Sequence, residues 1–171
     1  MALHHPKLYR TTEGVVAGIG VRSRAMHVSG DFIGFYTGRL MTNSCYEASN
    51  DVSLHNISFA IEGTDYLVVR SSQADVIGFI NEVPRGFRSN VVAVPIHLEA
   101  GNAVGYYATQ YIQPHTELLV HYGDFFERTY DVGTETAVPK RLQRADSVLS
   151  YDAMQNTHLY CAPRERDGSE Y

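Results

Sequence analysis

Apolar positions along the chain fall in short runs separated by Gly, Asn and Pro, and few of them recur at helical spacing. Val15–Val21 is apolar and interrupted by Gly18 and Gly20. Phe32–Tyr36 is a second run, ending in the turn residues Thr37 and Gly38. Ile57–Ile61 alternates apolar with polar, and Tyr66–Val69 is β-branched and aromatic. Asn90–Leu98 is a longer run in which Pro95 marks a strand edge or a bulge, because proline cannot donate to a central ladder. Ala103–Ala108 and Glu117–Tyr122 complete the set. Runs of this kind predict a mainly β domain of small sheets. Helical signals are confined to two places. Thr42–Asn56 can hold a short helix or a loop, and Ala137–Tyr151 sets Leu142, Val148 and Leu149 among charges after Pro139. The expected organisation is an N-terminal arm over 1–13, a β-rich core over 14–123 and a C-terminal flank over 124–171 whose polar tail, from Ala162, frays.

Composition narrows the class. At 171 residues the chain fits one domain, and 44% hydrophobic with 19% charged residues is a globular balance. No apolar run approaches the roughly 20 residues that a membrane helix needs, and Met1–Arg10 has no stretch of signal-peptide type, so an intracellular protein away from the membrane is expected. Two cysteines, Cys45 and Cys161, and scattered histidines offer no recognisable metal-ligand spacing, so no metal is expected. The net charge of −5 argues against direct nucleic-acid binding and favours basic partners.

The usual catalytic signatures are missing: there is no Gly-x-Ser-x-Gly, no phosphate-binding glycine loop and no His-Glu-x-x-His. Four segments stand out by their order. They are Ala17-Gly18-Ile19-Gly20-Val21; Gly30-Asp31-Phe32-Ile33 leading into Tyr36-Thr37-Gly38; Gly78-Phe79-Ile80-Asn81 with Asn90 beyond; and Ile112-Gln113-Pro114-His115-Thr116-Glu117-Leu118-Leu119-Val120-His121-Tyr122-Gly123. Together they resemble the SET domain of protein lysine methyltransferases, whose pattern runs Gly-x-Gly, then Gly-x-(Phe/Ile)-Ile and Tyr-x-Gly, then Arg-Phe-(Ile/Val)-Asn-His-x-Cys-x-Pro-Asn, then Ile-x-x-Gly-Glu-Glu-Leu-x-x-x-Tyr-Gly. The chain departs from that pattern in the third segment, where Gly78 replaces Arg, Glu82 replaces His and the loop Val83–Ser89 replaces the Cys-x-Pro piece. In the fourth, His115 and Thr116 replace Gly-Glu.

The resemblance implies a fold of several small β-sheets with a C-terminal, pseudoknot-like threading. It implies transfer of a methyl group from S-adenosylmethionine, which leaves as S-adenosylhomocysteine, to a lysine of a basic protein, histones among the candidates. A nuclear site of action, in the protein's own cell or in a host, goes with that. Tyr122 is then the catalytic residue. Gly18, Ile19, Gly20, Phe79, Asn81 and Glu82 hold the cofactor, Gly18 and Gly20 because a Cβ would obstruct close approach. Tyr36, Tyr107 and Tyr111 line the substrate channel, drawn from a set of twelve tyrosines that includes Tyr106. Phe125, Phe126, Tyr130, Tyr151 and Tyr160 are candidates to cover the site. The alternative in the same family is a SET-like module that has lost turnover and binds a peptide. The alternative outside it is an unrelated β-rich interaction domain.

Overall fold

The computed structural model describes residues 7–36, 38–49, 58–60, 65–70, 76–98, 101–123 and 128–140. Four small sheets account for nearly all of its regular structure. β1 (Leu8–Thr11) pairs antiparallel with β2 (Gly20–Ser23), which draws part of the expected arm into the fold. The pairing buries Leu8, Val21 and Ser23. The second sheet contains β3 (Phe32–Tyr36). The third contains β4 (Gly38–Thr42), β5 (Ser58–Ala60) and β6 (Tyr66–Arg70), in the order β4-β6-β5. The short helix expected after Thr42 is α1 (Asn43–Glu47), capped by the Thr42 hydroxyl, which accepts from the Cys45 amide at 3.2 Å. A 3-10 turn (Val76–Phe79) leads into β7 (Asn81–Glu82).

β8 (Val91–Leu98) and β9 (Gly101–Ala108) form a long hairpin, and β3 joins it in the order β3-β9-β8. Pro95 therefore lies on an edge strand, the position its missing amide requires. β10 (Leu119–Val120) then pairs parallel with β7. The core lies between these layers, with Val21, Ile33, Ile77, Ile80, Val91, Val104, Tyr106, Ile112, Leu118 and Val120 all nearly inaccessible.

Two expected strands are shorter than their apolar runs, each for a local reason. In Val15–Val21 only Gly20 and Val21 are extended; Gly18 has φ +98°, and Val15 and Ile19 face solvent. In Glu117–Tyr122 the chain changes partner midway. Glu117 bridges Arg22, the Leu118 amide donates to the Val21 carbonyl at 2.8 Å, and only then do Leu119 and Val120 pair with β7. The buried side chain of Asn90 closes this junction: its Nδ2 donates to the Glu117 carbonyl and its Oδ1 accepts from the Leu119 amide, both at 2.8 Å. His115, where the resembling pattern has glycine, takes φ 65°, a left-handed conformation uncommon for side-chain-bearing residues. Two bonds hold it there, from its amide to the Ser23 carbonyl at 2.6 Å and between its Nδ1 and the Tyr9 hydroxyl at 2.9 Å.

Past the core, Pro84 bridges Val132 and Arg88 bridges Thr134, so residues 132–134 lie against the 83–89 loop. Gly133 is needed there, since a Cβ would sit 2.5 Å from the carbonyl oxygens of Pro84 and Phe87. The helix expected over 137–151 lies, from residue 141 onward, outside the described residues, as do Phe125, Phe126, Tyr151 and Tyr160.

Candidate functional site

The first and third segments meet the fourth around the β7–β10 pair. Successive residues of a strand point to opposite faces, so Asn81 and Glu82 serve two different neighbourhoods. Asn81 faces the turn between β1 and β2. Its Nδ2 donates to the Ile19 carbonyl at 3.1 Å and to Glu117 Oε1 at 3.2 Å. The Glu117 carboxylate, 5% exposed, also accepts from the Val15 amide. A Cβ on Gly20 would lie 2.5 Å from Glu117 Oε1, and one on Gly14 would lie 2.5 Å from Oε2. Gly20 is thus glycine because a carboxylate packs on it. Gly18 is glycine because its φ is left-handed, and a Cβ there would meet nothing within 4 Å. The result is an open main-chain turn held over a buried carboxylate and an amide. Phe79 packs under the Arg10 guanidinium, which lies 4.9 Å from its ring centroid.

On the other face Glu82 is buried and takes four donors. Oε1 accepts from the Tyr122 amide at 3.1 Å and from Arg128 Nη2 at 2.7 Å. Oε2 accepts from Arg128 Nε at 3.2 Å and from the Tyr130 hydroxyl at 2.7 Å. Its side chain is committed to the protein, which leaves its main chain for any cofactor.

Tyr122 is the residue whose amide Glu82 grips, and its hydroxyl donates to the Ile80 carbonyl at 2.9 Å, one residue before Asn81. Tyr36 and Tyr106 stack with ring centroids 6.2 Å apart. Gly34 stands directly across from Tyr106, so the ring meets Tyr36 diagonally. Burial pushes the Tyr106 hydroxyl well above the usual tyrosine range, with smaller contributions from the neighbouring Tyr36 and Tyr122. These three rings form one cluster. Tyr107, next on the strand, points the other way and packs against Phe32 with centroids 5.4 Å apart. Tyr111 is exposed and its hydroxyl reaches the Met26 sulfur at 3.4 Å. Of the three tyrosines assigned to the channel, the structure brings only Tyr36 to Tyr122. Tyr106, Glu117, Asn90 and Arg128 are added to the site by geometry. Among the described residues no three His, Cys, Asp or Glu side chains gather as metal ligands, and no helix is long and apolar enough to cross a membrane.

The raised tyrosines make an alkaline prediction. Burial holds the Tyr107 hydroxyl up at about 12; Tyr130 is also held at about 12, first by burial of its hydroxyl and then by its bond to Glu82. Groups raised in the folded state contribute stability that is complete below their ordinary value of 10.0 and is lost as pH climbs through the folded value. Stability to urea should therefore fall steadily between about pH 10 and 12, with tyrosinate absorbance from these residues held back toward pH 12 for as long as the chain stays folded. Complete ionisation of all twelve tyrosines near pH 10 in a chain that remains folded would contradict this burial.

The sequence model of the SET domain family matches residues 18–123. No curated protein matches the chain. Among solved structures, similarity extends to an apo form of ctPRC2 substituted in its Ezh2 subunit, and to a humanized mutant of the Chaetomium thermophilum Polycomb Repressive Complex 2 bound to the inhibitor GSK343. Each aligns at 18% identity and TM-score 0.57, over 71% of this chain and 15% of the other. The chain thus spans a small part of those proteins, and the likeness is one of fold.

Proposed function

The chain belongs to the SET domain family, and from that membership we propose that it is a protein-lysine N-methyltransferase acting on a basic protein, with histones as the first candidates and the nucleus as the site of action. The observation that carries this reading is the Tyr122 hydroxyl bonded to the Ile80 carbonyl. It links the tyrosine cluster to the residue preceding Asn81, whose side chain faces the open glycine turn at Gly18–Gly20.

The residues on the turn side fit S-adenosylmethionine. That cofactor carries an ammonium and a sulfonium, and the Glu117 carboxylate, the Asn81 amide and the carbonyl-bearing turn at Gly18–Gly20 form an acceptor-rich cradle for positive charge. The cofactor supplies an activated methyl group and departs as S-adenosylhomocysteine. The protein's share is to place the lysine and to favour its neutral amine, the proton leaving to solvent before the amine enters. Tyr36, Tyr106 and Tyr122 present a largely apolar wall, with the Tyr106 hydroxyl buried within it. An amine with an ordinary pKa of about 10.4 is pushed toward its neutral form by such burial and by adjacent positive charge. With its O–H donating a hydrogen bond to the Ile80 carbonyl, the Tyr122 oxygen keeps lone pairs to orient the amine and the methyl hydrogens. Holding reacting atoms at near-attack distance supplies much of the rate.

The test is calorimetric titration with S-adenosylmethionine, followed by tritiated-methyl transfer to a panel of basic proteins with sites read by mass spectrometry. Absence of binding sinks the reading, and binding without transfer turns the chain into a peptide-binding module. Asn81→Ala is expected to weaken cofactor binding by about 1–3 kcal/mol, because it strips an amide from charged groups and releases the Ile19 carbonyl. An unchanged dissociation constant would return Asn81 to a purely structural role.

A further inference from the structure

Glu82 presents a problem that the cofactor site does not solve. A carboxylate 3% exposed at its side chain is costly to bury, yet it stands on a two-residue strand whose other side chain, Asn81, faces the glycine turn. All its donors come from outside that turn. One is the main-chain amide of Tyr122, and the rest come from Arg128 and Tyr130 of the flank. Arg128 Nη2 also donates to the Gly123 carbonyl at 2.7 Å. Residues 122 and 123 are therefore gripped twice, at the amide of one by Glu82 and at the carbonyl of the other by the arginine that Glu82 anchors. Gly123 has φ +94°, a turn that glycine adopts without cost and that glycine alone does little to fix.

We propose that Glu82, together with Arg128, is a positioning residue for Tyr122: the ion pair clamps the backbone from which the Tyr122 ring projects and so fixes its hydroxyl at the Ile80 carbonyl. This rests on the methyltransferase reading above. The clamp also gives the flank a task, since it docks residues 128–134 onto the loop that replaces the compact Cys-x-Pro piece.

The test uses Glu82→Gln, which keeps an acceptor for the Tyr122 amide and removes the charge that holds Arg128, and Arg128→Lys, which keeps the charge and loses the fork. Both are conservative enough to be assayed folded, at temperatures well below their melting points. Each variant should lose about tenfold in kcat, with KM for protein substrate and the S-adenosylmethionine dissociation constant within about twofold of wild type, since a small misplacement of a catalytic group is enough to slow the chemistry. The double variant should be no slower than the slower single one, because the two act as a unit. Hydrogen exchange at the Tyr122 and Gly123 amides should accelerate about tenfold while the β8–β9 hairpin is unaffected. Unchanged exchange at those amides overturns the clamp, whatever the activity. Wild-type kcat with accelerated exchange overturns its catalytic role, as does a fall in kcat matched by an equal rise in KM. A wild-type chain that binds no cofactor and transfers no methyl overturns the methyltransferase reading instead, while exchange still reports on the clamp.

Discussion

Tyr122→Phe leaves a folded chain whose turnover drops on the order of 30- to 1000-fold. The expectation comes from removing one positioned hydroxyl, worth roughly 2–4 kcal/mol of barrier where such groups orient reacting atoms. The same deletion leaves the Ile80 carbonyl without that donor, a stability loss of about 1 kcal/mol that a marginally buried site tolerates. Turnover and melting must therefore be measured together, with rates taken at a temperature where both proteins are fully folded. Near wild-type turnover would remove Tyr122 from the chemistry and leave its hydroxyl as a structural bond.

Arg128→Met is expected to destabilise the fold by about 3–5 kcal/mol, because it leaves the buried Glu82 carboxylate without its counter-charge. The internal control is close by. Arg85 and Asp131 pair at the same 2.7 Å separation, but their side chains are 80% and 71% exposed. Arg85→Met should cost only about 0–1 kcal/mol, since water screens that pair and solvates whichever partner remains. Urea midpoints for the two variants give the comparison. Equal small losses would show that the Arg128 pair has water access the structure does not give it.

Much of the fold was legible in the sequence because its strands are marked by β-branched and aromatic runs with glycine and proline between them. Phe32–Tyr36 is a strand as read, and Val91–Leu98 with Gly101–Ala108 lie close to their expected limits. β1 was missed because Leu8–Thr11 has a single buried apolar residue and is paired by backbone bonds that any sequence can make. The Val15–Val21 run was over-read because its exposed valine and isoleucine look like core until Gly18 is known to turn left-handed. In the candidate site, the glycine, asparagine and tyrosine positions are those that segment order proposes. Segment order does not choose between Tyr106 and Tyr107. That choice depends on which face of the β3-β9-β8 sheet each side chain takes, and a register irregularity between Phe32 and Gly34 resets the pairing of β9 with β3. Glu117 lies within the fourth segment, yet nothing in its spacing says that Gly14 and Gly20 are glycines to make room for it. Arg128 lies outside the matched region altogether, and only the burial of Glu82 points to it.

The double pairing of residues 117–120 bears on the order in which the chain folds. The β8–β9 hairpin joins neighbours in sequence and can close on the timescale of about 1–10 μs. Leu118 and Leu119 must instead find Val21, Asn81 and Asn90, partners drawn from three separate stretches of earlier chain. Each of those closures spends loop entropy before any contact is gained, so this segment docks late. It also brings Glu117 to the glycine turn and Tyr122 to the aromatic cluster. Until this segment docks, the core lacks Leu118 and Val120, and a fragment ending before Glu117 lacks them together with the parts of both halves of the candidate site that only this strand supplies.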